Sequence, residues 1–363
     1  MKIREIRLER FKRFQDETIS FLHPDTQKTL DLIVLVGENG SGKSSILQAI
    51  AAALGAETQQ IENPNQLNWP GFVPEGVSAA HQGLSEVTLD VEFTDDEIAA
   101  TQKYYDKSDF ANDKADPKNT RPGGPRGYSR VYLVMRSSAQ GELSVQSGKT
   151  AHTHSYTVSA QFRGRMYAYN LLQKRANQPD LFKPVGSVFW YHEQRTIYSL
   201  TPFTKDAFTE NVANNGIEGI RRLITNWFAT EGQPKVTQFR KLYGTLFPGK
   251  TLSRVGDTFS AESPPIFFKQ DMVEYELAEL SGGERALLPI VLDVVQWDIN
   301  NSVILIDELE LHLHPPLQQT LLAMLPTLGQ NNQFIITTHS DAIFDVVPES
   351  SVRRIEIDRV AVG

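Results

Sequence analysis

The sequence predicts an α/β fold: a parallel sheet with helices, N-terminal antiparallel strands, and a mixed helical and β insert. Three observations predict it. Short continuous apolar runs at 32–36 (LIVLV), 303–306 (VILI) and 333–337 (QFIIT) have the pattern of strands buried on both faces. Helical patterns follow the first two of these runs, so strand and helix alternate near both ends of the chain. The first residues instead alternate apolar and charged, as half-buried antiparallel strands do.

In order along the chain, Ile3, Ile6, Leu8, Phe11, Ile19 and Phe21 mark two strands over 2–22, near a basic turn of Arg10, Lys12 and Arg13. A buried strand follows at Leu32 to Val36, then a helix from Ser44 to Leu54 with Gly55 as its C-terminal cap. Residues 56–82 read as loop. SEVTLDVEF reads as a strand and TDDEIAATQKYY as a helix capped by Thr94. Residues 106–129 read as exposed loop. Strand patterns follow at 130–136, 154–169 and near 187–192, and helical spacing fills 204–247. MVEYELAEL is strand-like. ALLPIVLDVVQW reads as a buried helix with Pro289 in its first turns, PPLQQTLLAMLPTL as a helix, and VRRIEID as a closing strand. No internal repeat is visible. The expected organisation is a core of 1–55 with 271–363, and an insert, 56–270, carrying further core strands and an accessory region.

The chain has 363 residues, 40% hydrophobic and 22% charged, which is ordinary globular composition. A net charge of -8 and a pI near 5.6 argue against wholesale coating of nucleic acid, though not against local basic patches. The absence of cysteine excludes disulfides, Cys-ligated zinc and thiol nucleophiles. No apolar run approaches the ~18 residues of a membrane helix. The charged, alternating start fits neither a signal nor a transit peptide, so a cytoplasmic location is expected.

GENGSGKS, Gly37 to Ser44, fits G-x-x-x-x-G-K-[ST] between a buried strand and a helix. In that pattern Gly37, Asn39, Gly40, Ser41 and Gly42 turn backbone N–H groups toward phosphates, and Ser45 continues the turn into the helix. Lys43 reaches the outer phosphates and Ser44 binds Mg2+. VILIDE ends a buried strand in two carboxylates. Asp307 is the candidate to hold Mg2+, and Glu308 to polarise an attacking water. TTHS ends a third buried strand, and His339 is placed to sense a γ-phosphate. In LSGGE, Ser281 is an N-cap, Gly282 and Gly283 leave N–H groups accessible, and Glu284 falls near the start of the helix. A helix N-terminus is an anion site. Two such ends in one chain serve either two anions or, more economically, one ATP shared between opposite subunits.

GENGSGKS, LSGGE, LIDE and TTHS, in this order, resemble the ATP-binding cassette ATPases. More narrowly the chain resembles the SMC/RecF-like branch, where strands with a basic turn like IREIRLERFKRFQD are typical, and DELELHLHP is similar to the OLD-type ATPases. The resemblance covers the two ends of the chain; the middle does not align. It implies a homodimer sandwiching two ATPs with Mg2+, each between one subunit's Gly37–Ser44 and the other's Ser281–Glu284. It places Leu311 to His314, with His312 and His314, at the dimer interface. It also implies a glutamine touching Mg2+ and the attacking water. Gln194, beside Arg195, is the candidate. Arg13 and Phe14 match the family's adenine contact by position, although an ordinary strand turn explains them equally well. The span between Ser44 and Leu280 lacks heptads, which excludes the long coiled coil of SMC proteins, and the chain ends soon after His339, short of the Toprim domain of OLD nucleases. His152 and His154, read as lying on an alternating strand, are surface residues rather than ligands.

Three functions remain open at this point. The first is an ATPase switch that controls a separate effector, a nuclease or toxin in anti-phage defence. The second is a RecF-like DNA-repair ATPase whose Arg4, Arg7, Arg10, Lys12 and Arg13 contact duplex phosphates. The third is a slow or non-hydrolysing ATP-sensing scaffold.

Overall fold

A computed structural model describes residues 1–78, 83–112, 124–174, 181–193, 216–230, 232–256 and 264–356. Its first elements are β1 (Lys2–Phe11), β2 (Phe14–Ser20), β3 (Leu32–Val36), α1 (Lys43–Glu57) and β4 (Glu86–Glu92). Next come α2 (Asp95–Lys107), α3 (Asp109–Asn112), β5 (Arg130–Ser137), β6 (Leu143–Gly148), α4 (Tyr156–Ser159), α5 (Gly164–Lys174) and β7 (Val188–Tyr191). The middle of the chain forms α6 (Gly216–Ala229), α7 (Pro234–Leu246), β8 (Lys250–Val255), β9 (Ile266–Gln270) and β10 (Val273–Glu276). The last are α8 (Gly282–Trp297), β11 (Val303–Ile306), α9 (Pro315–Met324), β12 (Gln333–Thr337), α10 (Asp341–Phe344) and β13 (Val352–Arg354). They divide between two compact units. Unit one holds Met1–His192, Asn300–Leu309 and Gly329–Gly363; unit two holds Glu193–Ile299 and Glu310–Leu328.

Unit one contains two five-stranded sheets. The antiparallel one has the order β2-β1-β4-β5-β6, the parallel one β13-β3-β12-β11-β7. The apolar runs of β3, β11 and β12 form the middle of the parallel sheet and are buried almost throughout, as their lack of polar alternation requires. Ile3, Ile6 and Leu8 are all fully buried although Ile3 and Ile6 are an odd number apart. A register shift between Ile3 and Glu5 against β4 restores the inward face. Helix α1 lies against β5 and β6 of one sheet and β7, β11 and β12 of the other. It is buried on all sides from Ile46 to Leu54, which explains an alanine-rich sequence with no polar face.

Unit two joins α6, α7, α8 and α9 to the three-stranded antiparallel sheet β10-β9-β8. Its core is aromatic: Trp227, Phe239, Tyr243 and Phe268 meet with ring centroids 5.1 to 6.3 Å apart.

Several local expectations give way. Helix α1 continues through Gly55 to Glu57, and its cap is Thr58. Gly55 is small for packing instead, since a Cβ there would lie 3.3 Å from Ile61 and 3.4 Å from Trp190. The strand expected over 154–169 is helical, forming α4, a 3-10 turn and the start of α5. Val158 and Phe162 satisfy both alternation and an i, i+4 helical face, and the helical solution buries them. His152 and His154 sit in the exposed turn before α4. Pro289 is the eighth residue of α8, mid-helix rather than in its first turns. MVEYELAEL forms only the short β10 before a 3-10 turn.

Candidate functional site

The loop from Gly37 to Gly42 joins β3 to α1 in unit one. Gly40 and Gly42 have φ of +74 and +101, a region side chains with a Cβ avoid. A Cβ on Gly42 would also lie 2.5 Å from Phe14 and 2.7 Å from Arg13. The β1–β2 turn therefore rests on the loop, and only glycine admits that approach. Lys43 Nζ curls back to donate to the carbonyls of Gly37 at 3.0 Å and Glu38 at 3.1 Å. Ser41 Oγ is buried with no hydrogen-bond partner among the described residues.

Two strand ends, those of β11 and β12, meet the start of α1 beside this loop. Ser44 Oγ donates to Asp307 Oδ1 at 3.0 Å, and Thr337 Oγ1 donates to the same oxygen at 2.6 Å. Thr337 Oγ1 also accepts the backbone N–H of Glu308 at 2.8 Å. Asp307 is 1% exposed and Thr337 fully buried, while Ser44 is half-buried at the cluster's open side. Glu308 holds a left-handed backbone with φ of 47, a strained conformation for a non-glycine residue that its surroundings must enforce.

Arg13, Asn39, Gly40, Gly42, Lys43, Ser44, Ser45, Glu308 and His339 line one cavity of about 300 Å³, together with Lys12 and Thr337. The structure thus brings together most of the residues expected from separate motifs. Gly37, Glu38 and His339 also border a larger cavity of about 540 Å³ with Phe344, Arg354 and Glu356. The smaller one is the candidate site, because of the two it is the one lined by Lys43, Ser44 and Glu308. Gln194 and Arg195 lie outside the described residues; β7, which leads to them, pairs with β11 as a neighbour in the parallel sheet. Thr337 was missed by the sequence reading. Its signal was the first hydroxyl residue after the run QFII.

Ser281 to Glu284 belong to unit two. Ser281 caps α8, whose first residue is Gly282: its Oγ accepts the N–H of Glu284 at 3.3 Å, and the Glu284 carboxylate accepts the N–H of Ser281 at 3.0 Å. Gly283 is packed close to the Leu311–His314 turn, where a Cβ would lie 3.4 Å from the carbonyl oxygen of His312. No group of three or more histidines and carboxylates fit to hold a metal occurs among the described residues.

A model of the family described as RecF/RecN/SMC N terminal domain matches residues 2–358. The chain belongs to that family. The Retron Ec83 probable ATPase of Escherichia coli is 20% identical over 405 aligned residues, covering 97% of this chain and 71% of that protein. The Retron Vc95 probable ATPase of Vibrio cholerae serotype O1 biovar El Tor is 34% identical over 97 residues, covering 23% of this chain and 19% of that one. Protein ea59 of Escherichia phage lambda is 33% identical over 95 residues, 26% of this chain and 18% of that one. The chain thus spans under a fifth of the length of the second and third relatives. Among solved structures, the SmcHead bound to the C-winged helix domain of ScpA superposes with a TM-score of 0.58 at 16% identity, over 95% of this chain and 91% of that one. A Pyrococcus furiosus Smc head domain with an extended coiled coil gives 0.54 at 15% identity, over the same shares. These likenesses establish an SMC-head fold.

Members of the RecF/RecN/SMC family bind nucleotide, and the residues here fit one. The buried Ser41 hydroxyl wants a partner, Gly40 opens onto free space, and Ser44 with Asp307 supplies the oxygen pair a hard divalent cation prefers. The basic stretch fits DNA less well than its composition suggests. Arg4 pairs with Glu92 at 2.9 Å, Arg7 with Asp16 at 2.9 Å and Glu9 at 3.1 Å, and Arg10 with Glu9 at 3.8 Å. Lys12 donates to Gln48 and to the carbonyl of Gly71, and burial lowers its pKa. Arg13 alone of the five has no such partner among the described residues and faces the cavity. No helix among the described residues is long and apolar enough to cross a membrane.

Proposed function

We propose that the protein is an ATPase whose two copies close around two ATPs and so switch a separate effector, a nuclease or toxin of a defence system. The observation that carries the enzymatic part is the single cavity joining Lys43, Ser44, Glu308 and His339, with Asp307 locked beneath by Ser44 and Thr337. Lys43 would leave the Gly37 and Glu38 carbonyls for the outer phosphates, and the loop N–H groups with the start of α1 would hold the others. Mg2+, held through Ser44 and Asp307, would neutralise phosphate charge. Glu308 would orient a water for attack on the γ-phosphorus and accept its proton as ADP departs. His339 would donate to the γ-phosphate, and Arg13 with Phe14 would border the nucleotide on the other side. Gln194, as the further ligand near Mg2+, completes the reading. Ser281, Gly282 and Gly283 of a second copy would close on the γ-phosphate.

The defence role is supported by relatives whose names are retron probable ATPases. The test is a comparison of wild type with Glu308→Gln in single-turnover ATP hydrolysis: a rate fall of about two orders of magnitude or more is expected, and equal rates overturn the enzyme. Tagged Glu308→Gln, purified from native cells with ATP, should then bring down a stoichiometric nuclease or toxin. DNA or repair factors in its place overturn the effector reading.

A further inference from the structure

Glu284 is a buried carboxylate, 1% exposed, with more donors than a helix cap uses. A capping box needs only the serine and the glutamate. Here Oε1 also accepts from the hydroxyls of Tyr243 at 2.5 Å and Tyr275 at 3.0 Å. Oε2 accepts from Ser281 Oγ at 2.6 Å, from Ser281 N–H at 3.0 Å, and from Lys250 Nζ at 3.0 Å. The three added donors come from three elements of unit two: α7, the first residue of β8, and β10. Tyr243 is wedged in the aromatic core against Phe239, Phe247 and Phe268, so its hydroxyl is fixed in place.

Burial pushes the Glu284 carboxyl up, but the hydrogen bonds from Ser281, Tyr243 and Lys250 outweigh it and hold it at about 2. The Tyr243 and Tyr275 hydroxyls are pushed up, by burial first and then by the carboxylate, and so stay protonated donors.

A serine hydroxyl has one proton. In this structure that proton is given to Glu284 Oε2. A phosphate oxygen arriving at the start of α8 must take it, and Oε2 then keeps only Ser281 N–H and Lys250. We propose that Lys250, with Tyr243 and Tyr275, are positioning residues that hold and compensate Glu284, so that Ser281 turns its proton from Glu284 to the γ-phosphate bound by a second copy. The inference rests on the shared-site reading above. It differs from a purely structural cap in what it predicts. Without Lys250 the Ser281 proton is retained by Glu284, so closure weakens while each copy's own nucleotide loop binds as before.

The test uses the full chain carrying Glu308→Gln. The ATP-dependent dimer Kd is measured by analytical ultracentrifugation, and own-loop binding with a fluorescent ATP analogue below the dimer Kd. Lys250→Met should weaken the dimer about tenfold, the loss of one charge-assisted hydrogen bond, at unchanged analogue affinity. Lys250→Arg should restore most of it. Tyr275→Phe, at a partly exposed position, gives a second reading and should weaken the dimer about threefold. Dimer affinities unchanged in both Lys250→Met and Tyr275→Phe overturn the inference, as does an equal fall in analogue binding. If the Glu308→Gln parent forms no ATP-dependent dimer, the shared-site reading itself fails, and the two failures are told apart.

Discussion

Thr337 donates to Asp307 Oδ1 at 2.6 Å and accepts the backbone N–H of Glu308 at 2.8 Å, so one hydroxyl fixes both carboxylate positions to the end of β12. The second bond matters because Glu308 is held at a left-handed φ of 47. Thr337→Val keeps the shape and removes the hydroxyl that accepts the Glu308 N–H and donates to Asp307, at a cost of about 1 kcal/mol per bond. The expected result is a fall in single-turnover ATP hydrolysis of about tenfold or more, with ATP affinity within about twofold. Thr337→Ser should recover the rate. Wild-type turnover in Thr337→Val would show that Glu308 needs no such tether.

Lys43→Ala separates the resting from the working role of the lysine. At rest its ammonium bridges the carbonyls of Gly37 and Glu38, partly exposed interactions worth on the order of 1 kcal/mol. The melting temperature should therefore move by only a few degrees. ATP binding, measured by calorimetry with Mg2+, should be lost, because no other cation of the loop reaches the outer phosphates. Retained binding would place the phosphates elsewhere.

How much of this was legible in the sequence depends on the range of the interaction. The positions of the loop, both carboxylates and His339 at the ends of buried runs were readable, because a run as short as VILI is long enough for a strand and too short for a helix. The Arg4–Glu92 and Arg7–Asp16 pairs were not readable, since they cross between strands whose register the sequence leaves open. From the sequence alone the stretch is a basic cluster open to phosphate contact or plain solvation; in the structure Arg4, Arg7 and Arg10 are paired with carboxylates. The helix at 156–174 was misread because Val158 and Phe162 fit both periods. Tyr243 and Lys250 reach Glu284 from distant positions by packing alone, with no local pattern to announce them.

The Glu284 carboxyl also sets a pH dependence. Its ordinary value is 4.5 and its folded value about 2, so the folded state binds the proton less tightly than the unfolded one. Its contribution is complete above about pH 4.5 and is lost as the pH falls toward 2; for this buried group it is roughly 3 kcal/mol. Glu284→Gln should lower stability in urea at pH 7. The gap to wild type should narrow steadily below pH 4.5. A gap that stays constant from pH 7 to 3 would assign the loss to packing rather than charge.

Ser281→Arg tests the shared site most directly. Ser281 is exposed at the N-cap of α8, so a longer side chain can be carried there. It loses the cap, worth about 1 kcal/mol, and puts a bulky cation where a partner's phosphate would enter. Each copy's Gly37–Ser44 loop is untouched. ATP affinity at low protein concentration should therefore match wild type, and the melting temperature should fall by a few degrees only. In the Glu308→Gln background, ATP-driven dimers should be absent by light scattering up to about tenfold above the parent's dimer Kd. Mixing the variant with Lys43→Ala protein should recover one competent site from two defective chains, since each supplies what the other lacks. Normal dimers from Ser281→Arg alone, or no recovery on mixing, would overturn the shared-site reading and leave the starts of α1 and α8 as separate candidate anion sites.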